Sequence, residues 1–182
     1  MLFNKTKIEG LYIIEYPVLR DSRGSFSKNF QKSIFLENKL ECEFSELYFT
    51  TSKRGVIRGM HFQSPPHDHE KLVSVISGKI IDVILDIRES SKTYGAYIAV
   101  ELSEEDGKSV FIPRGLAHGF GVLSEYAVMQ YLVTSEYSNQ SDNGVLFDGF
   151  GFSWPINNPI ISKRDLTFPA LDKLVSPFKR AL

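Results

Sequence analysis

Residues 66–78 read PHDHEKLVSVISG and residues 107–118 read GKSVFIPRGLAH. These two stretches decide the fold. Each couples a run rich in Val, Ile and Phe to a turn glycine, with His67 and His69 ahead of the first run and His118 closing the second. β-Branched and aromatic side chains suit a pleated, half-buried surface, and glycine breaks it. The texture continues outward in both directions, predicting strands over 11–19, 46–52, 56–63, 71–78, 79–88, 97–103, 108–113, 119–124 and 127–137. Short strands following one another, rather than alternating with helices, predict an all-β sandwich or barrel.

Within 79–88, Ile81, Val83, Leu85 and Ile87 face one side, while Asp82, Asp86 and Arg88 share the other with Ile84. Helices are predicted over 33–39, with Ser33 as N-cap and the helix covering one barrel end, and over the C-terminal 169–182. Ser77–Lys79 and the turn around Asp106 and Gly107 read as hairpins. At 182 residues and 42% hydrophobic content the chain buries one core, so residues 1–182 are read as a single domain.

The formal charge is −1, with 21 basic and 22 acidic residues interspersed, which excludes a general nucleic-acid binder. A charged ligand must then be met by local clusters. Cys42 stands alone, so there is no disulfide framework and no cysteine-built zinc site. Neither a signal-peptide core nor an apolar run of about 20 residues is seen. A cytoplasmic protein without membrane partners is expected.

The spacing of His67, His69, Lys71 and Gly78, followed by Gly107, Pro113, Gly115 and His118, resembles the two motifs of the cupin superfamily. That resemblance implies a jelly-roll β-barrel with short peripheral helices. Lys71 stands where metal-binding cupins carry Glu, and Val122 replaces the terminal Asn. An ammonium there repels a divalent cation and removes a ligand, which favours a metal-free pocket. A three-histidine site built from His67, His69 and His118 is the alternative.

Over nearly its whole length the chain also resembles the dTDP-4-dehydrorhamnose 3,5-epimerases, in DSRGSF (21–26), RGVIRGMHFQ (54–63), the 66–78 run, DVILDIRESSKTYG (82–95), IPRGLAHGF (112–120), YLVTSEY (131–137) and WPINNPIISKRD (154–165). The resemblance implies a homodimeric, cofactor-free isomerase acting on a nucleotide-diphosphate 4-keto sugar. A C4 ketone acidifies the hydrogens on C3 and C5, so the chemistry needs a base, an enolate stabiliser and an acid on the far face. His61 matches the base and Asp165 its orienting carboxylate. Lys71 matches the cation beside the C4 oxygen, and Tyr131 the opposite-face acid. Arg23 and Arg58 match diphosphate contacts, with His118 and Arg164 as further donors, and Tyr137 matches an aromatic beside the base. Phe26 falls with Arg23 in the DSRGSF segment, and Asp82 lies near the sugar pocket in relatives. Arg23 is expected to serve the neighbouring subunit's site.

The chain departs from the family pattern in GVLFDGFGFSWP (144–155), which lacks the usual tryptophan and Asp-Pro before its final Trp-Pro, and at three single positions. Lys28 stands where Glu is common, and Glu46 and Tyr48 replace a Gln and an Asn. An ammonium only donates hydrogen bonds, so the base reader is altered. A CDP- or GDP-linked sugar, epimerisation at a single carbon, a metal-dependent cupin and a non-catalytic sugar-nucleotide binder stay open as alternatives.

Overall fold

In the computed structural model, which describes residues 1–179, the strands are β1 (Leu2–Lys5), β2 (Tyr12–Glu15), β3 (Val18–Asp21), β4 (Gly24–Ser27), β5 (Glu46–Lys53), β6 (Ile57–Gln63), β7 (Lys71–Ser77), β8 (Lys79–Asp86), β9 (Tyr97–Ser103), β10 (Lys108–Ile112), β11 (Leu116–Val122), β12 (Tyr126–Val133) and β13 (Asp142–Gly144). One short helix, α1 (Lys32–Glu37), lies between β4 and β5, and two 3₁₀ turns, Asp165–Thr167 and Leu171–Lys173, follow β13.

The strands form a six-stranded sheet ordered β1-β2-β10-β7-β12-β5 and a five-stranded sheet ordered β13-β6-β11-β8-β9, with β3 and β4 as a separate hairpin. From β5 onward every connection except β8–β9 carries the chain from one sheet to the other. This is the jelly-roll, all-β arrangement expected of a cupin-type protein. Gly78 and Gly107, with φ of 86° and 60°, are therefore sheet-to-sheet corners and not the hairpin turns expected from sequence. A Cβ at Gly78 would lie 2.1 Å from the Tyr126 carbonyl oxygen, so that corner admits only glycine.

Three apolar layers result. Val73, Val75, Ile80, Ile84, Val110, Ile112, Phe120 and Met129 fill the space between the sheets. The outer face of the five-stranded sheet, with Ile81, Val83, Leu85 and Ile87, is covered by C-terminal residues including Phe150, Trp154, Leu171 and Phe178. This confirms the alternation read in 79–88, and both faces of β8 are buried. The outer face of the other sheet is covered by α1, whose Phe35 packs against Ile14, Leu72 and Phe111.

The helix thus lies on a sheet face rather than at a barrel end. It begins one residue earlier than expected, with Gln31 as N-cap and Ser33 inside the first turn. The segment 11–19 divides into β2 and β3 on either side of Tyr16 and Pro17, because a residue without an N–H cannot continue the ladder. The C-terminal helix does not form over 169–179, where only Leu171–Lys173 turns; its last three residues lie outside the described part. Pro169 and Pro177 bracket that stretch, and its apolar residues are spent on covering the sheet. No described helix is long and apolar enough to cross a membrane.

Candidate active site

The site grows from a close crossing of β6 and β11. Their register breaks between His118 and Phe120, and Gly59, with φ of 128°, lies against Gly119. A Cβ at Gly59 would be 2.4 Å from Gly119 Cα, so two bare backbones are required there. Two residues on, His61 pairs in register with His118, and both imidazoles line the space between the sheets.

Asp165 reaches His61 from the first 3₁₀ turn: its Oδ1 is 3.0 Å from His61 Nε2, and its Oδ2 accepts the Gly59 N–H at 3.2 Å. Burial pushes this carboxyl's pKa up, but the hydrogen bonds from His61 and Gly59 outweigh it and hold it below the ordinary value. An ionised Asp165 accepts from Nε2–H, which leaves Nδ1 as the bare nitrogen of His61.

The facing sheet supplies Lys71, Tyr131 and Tyr48. Lys71 is 7% exposed and its Nζ lies 3.5 Å from the His61 carbonyl oxygen. Burial brings its pKa down to about 8, against the pull of Asp142 and Asp82. Tyr131 is buried, and burial raises its phenol well above the ordinary range. Tyr48, its direct partner across β5 and β12, stacks on it with centroids 4.8 Å apart and planes at 12°. Burial, helped by the charges of Glu46 and Asp142, pushes Tyr48 to about 12.

Behind Tyr131, His118 Nε2 lies 2.6 Å from Asp82 Oδ1, both side chains buried. Asp82, which the epimerase resemblance put near the sugar pocket, is buried on the inner wall. The cavity between these groups measures about 400 Å³. At its rim Arg58 Nε donates to Ser52 Oγ, Arg164 pairs with Asp142 at 2.6 Å, and the Tyr137 N–H donates to Glu46 at 2.8 Å.

The family model described as dTDP-4-dehydrorhamnose 3,5-epimerase matches residues 5–173. The chain belongs to this epimerase family. It is 41% identical to the dTDP-4-dehydrorhamnose 3,5-epimerase of Methanothermobacter thermautotrophicus over 93% of this chain and 94% of the relative. It is 38% identical to that of Shigella flexneri, over 89% and 91%. Among solved structures, the dTDP-6-deoxy-D-glucose-3,5-epimerase of Legionella pneumophila in complex with dTDP-4-keto-L-rhamnose superposes with a TM-score of 0.93 at 33% identity, covering 100% of this chain and 98% of that one.

Of the residues that the epimerase resemblance singled out, His61, Lys71, Tyr131, Glu46, Tyr48, Arg58, His118, Tyr137 and Arg164 line one cavity, with Asp165 directly behind His61. Arg23, Phe26 and Lys28 do not. They belong to the β3–β4 hairpin and the residue after it, where Arg23 pairs with Asp21 and its side chain is 88% exposed. Nor do the three histidines of the metal alternative assemble, since no cluster of three or more metal-ligating side chains is found among the described residues. His118 is committed to Asp82, and His69 points Nδ1 at Ser135 Oγ and Gln63. Burial, with Lys71 and Arg114 nearby, lowers His69 to about 3, so it stays neutral.

Sequence reasoning missed Asp142 as a wall residue. Asp142 sits in a polar stretch, NQSDNG, that carries only loop signals. Gln63, for which the sequence suggests no role, locks His67, His69 and Ser138 into one network.

Proposed function

We propose that this single-domain chain epimerises a dTDP-linked 4-keto-6-deoxyhexose at the carbons flanking its ketone, C3 and C5, without a metal or other cofactor. The observation that carries the reading is the meeting, in one cavity, of a carboxylate-braced imidazole, a buried ammonium and a buried phenol.

His61 takes a proton from carbon, and Asp165 steadies the imidazolium that forms. The electron pair moves onto the C4 oxygen, where the Lys71 ammonium favours the enolate over the ketone. Tyr131 then delivers its hydroxyl proton to the same carbon from the opposite face, which inverts it. A phenol raised above its usual pKa is a reluctant acid toward water, yet it is ample for a carbanion. Arg58 and Arg164 suit the diphosphate, since guanidinium groups bind phosphoryl oxygens in pairs, and Tyr137 at the open rim suits the base. Arg23, Phe26 and Lys28 are read as serving the cavity of a second copy in a homodimer. The reaction is placed in the cytoplasm, consistent with Cys42 as a buried free thiol.

Incubation in deuterated water with dTDP-, CDP- and GDP-linked 4-keto-6-deoxyhexoses, followed by mass spectrometry, tests this. The dTDP sugar is expected to gain two deuterons. Gain with another nucleotide alone would correct the base, gain of one would reduce the reaction to a single carbon, and no gain with any of them would discard an epimerase.

A further inference from the structure

Each transfer in the proposed reaction breaks one C–H bond and forms another, leaving His61 as an imidazolium and Tyr131 as a phenolate. A second transfer, at the other flanking carbon, requires His61 to lose a proton and Tyr131 to regain one. The His61 side chain is 30% exposed and can trade with solvent, whereas Tyr131 is 5% exposed.

One group joins the two. His118 stands in register with His61 across the β6–β11 ladder, and directly opposed residues on neighbouring strands share a face within a few ångströms. From the same position its ring meets Tyr131 edge-on, with centroids 6.1 Å apart and planes at 63°. Asp82 braces it at 2.6 Å through Oδ1, while Oδ2 is buried and takes no hydrogen bond from the described residues. Such a carboxylate keeps its charge uncommitted and steadies a neighbouring cation. The other titratable or charged groups around the pair are His61 and Arg58 from β6, Lys71 from β7, Tyr131 from β12 and Tyr48 from β5.

We propose that His118, braced by Asp82, returns a proton to Tyr131 between two successive transfers to the same sugar. This rests on the epimerase reading above. The imidazolium of His118 gives its proton to the phenolate and becomes neutral, then takes up the proton held on His61. One hand-over thus resets both ends, and no outside acid is consumed. His118 acts through Tyr131 and not on the reacting carbon.

The test compares short-time labelling in deuterated water, with a dTDP-linked 4-keto-6-deoxyhexose, for the unaltered protein, Asp82→Asn and His118→Asn. Asp82→Asn keeps the shape and leaves His118 without its counter-charge. In both variants the ratio of doubly to singly labelled sugar is expected to fall at least about a hundredfold, the low end of what a positioned proton-transfer group contributes. A dTDP-induced thermal shift serves as the check that the cavity is intact. Equal slowing of both labels, as a merely structural pair would give, or an unchanged ratio overturns the relay. So does an unaltered protein that labels one carbon only, whereas one that labels none fails the epimerase reading itself. Should both variants fail to fold, Asp82→Glu and His118→Gln are compared in the same way, and an unchanged ratio overturns the proposal.

Discussion

His61 Nε2 lies 3.0 Å from Asp165 Oδ1 although 104 positions separate the two residues in the chain. The contact is made by folding a C-terminal segment back over the five-stranded sheet, so it reports on the fold and on the proposed base together. Asp165→Asn keeps the volume and removes the charge that fixes the Nε2–H tautomer. Under the proposed reaction kcat falls by about 10²- to 10⁴-fold, with little change in KM. The carboxyl is held below its ordinary 3.8, so its contribution to stability is present above that pH and is lost as pH falls through the folded-state value. The Tm advantage of the unaltered protein over Asp165→Asn therefore shrinks on acidification, which thermal melts across pH 3 to 7 would read.

Tyr131 and His61 occupy facing sheets, and separating their roles is a matter of stereochemistry. Tyr131→Phe retains the stack on Tyr48, whose packing is worth about 0.5–1.5 kcal/mol beyond burial, so the fold is unaffected. The base remains and can return a solvent-exchanged proton to the face it came from. Deuterium is then expected to enter the sugar without inversion, seen by NMR as label in unepimerised substrate. Inverted product at the unaltered rate would show that another group protonates the far face.

Lys71 carries a cost that the proposed chemistry explains. Its pKa of about 8, against 10.5, means that burial, net of the pull of Asp142 and Asp82, opposes the ammonium by roughly 3 kcal/mol, a cost complete below pH 8 and gone above 10.5. Lys71→Met removes that net cost. A higher Tm at pH 7 with epimerisation abolished is the expected pair of outcomes. In the unaltered protein the alkaline limb of kcat should have its midpoint near 8 rather than near 10.5. A variant both inactive and less stable would mean that Lys71 holds the fold together.

What could be read from the sequence divides along the line between local and non-local information. Strand texture is local, and β5 to β10 lie within a residue or two of the expected runs. The sheet each strand joins is not local, which is why the glycine at position 78 reads as a hairpin turn and is a corner. Asp82 shows the same limit. Its alternation placed it opposite Ile81 and Val83, but whether that face meets solvent or the other sheet depends on β11 and β12, more than thirty residues later. Most of the cavity residues emerged through the resemblance to the epimerase family, and not from composition or periodicity. The β3–β4 residues stand apart because their hairpin does not line the cavity that holds His61 and Lys71.

That separation gives a last prediction. Arg23 belongs to a separate hairpin beside exposed Leu19 and Phe26 and does not line the cavity that holds the histidine and lysine of its own chain. If it serves a second copy, Arg23→Ala weakens the site of the partner and leaves its own chain's His61 competent. His61→Asn does the reverse, so each homodimer alone has only impaired or dead sites. In a hybrid of the two, the site with an intact His61 also receives an intact Arg23 from the other chain. Half of a random mixture is hybrid and each hybrid holds one whole site, so about a quarter of full activity should return. Unfolding the two variants together and refolding them, with activity measured against separately refolded controls, reads this directly. Activity equal to the average of the controls would place Arg23 in the site of its own chain or in none.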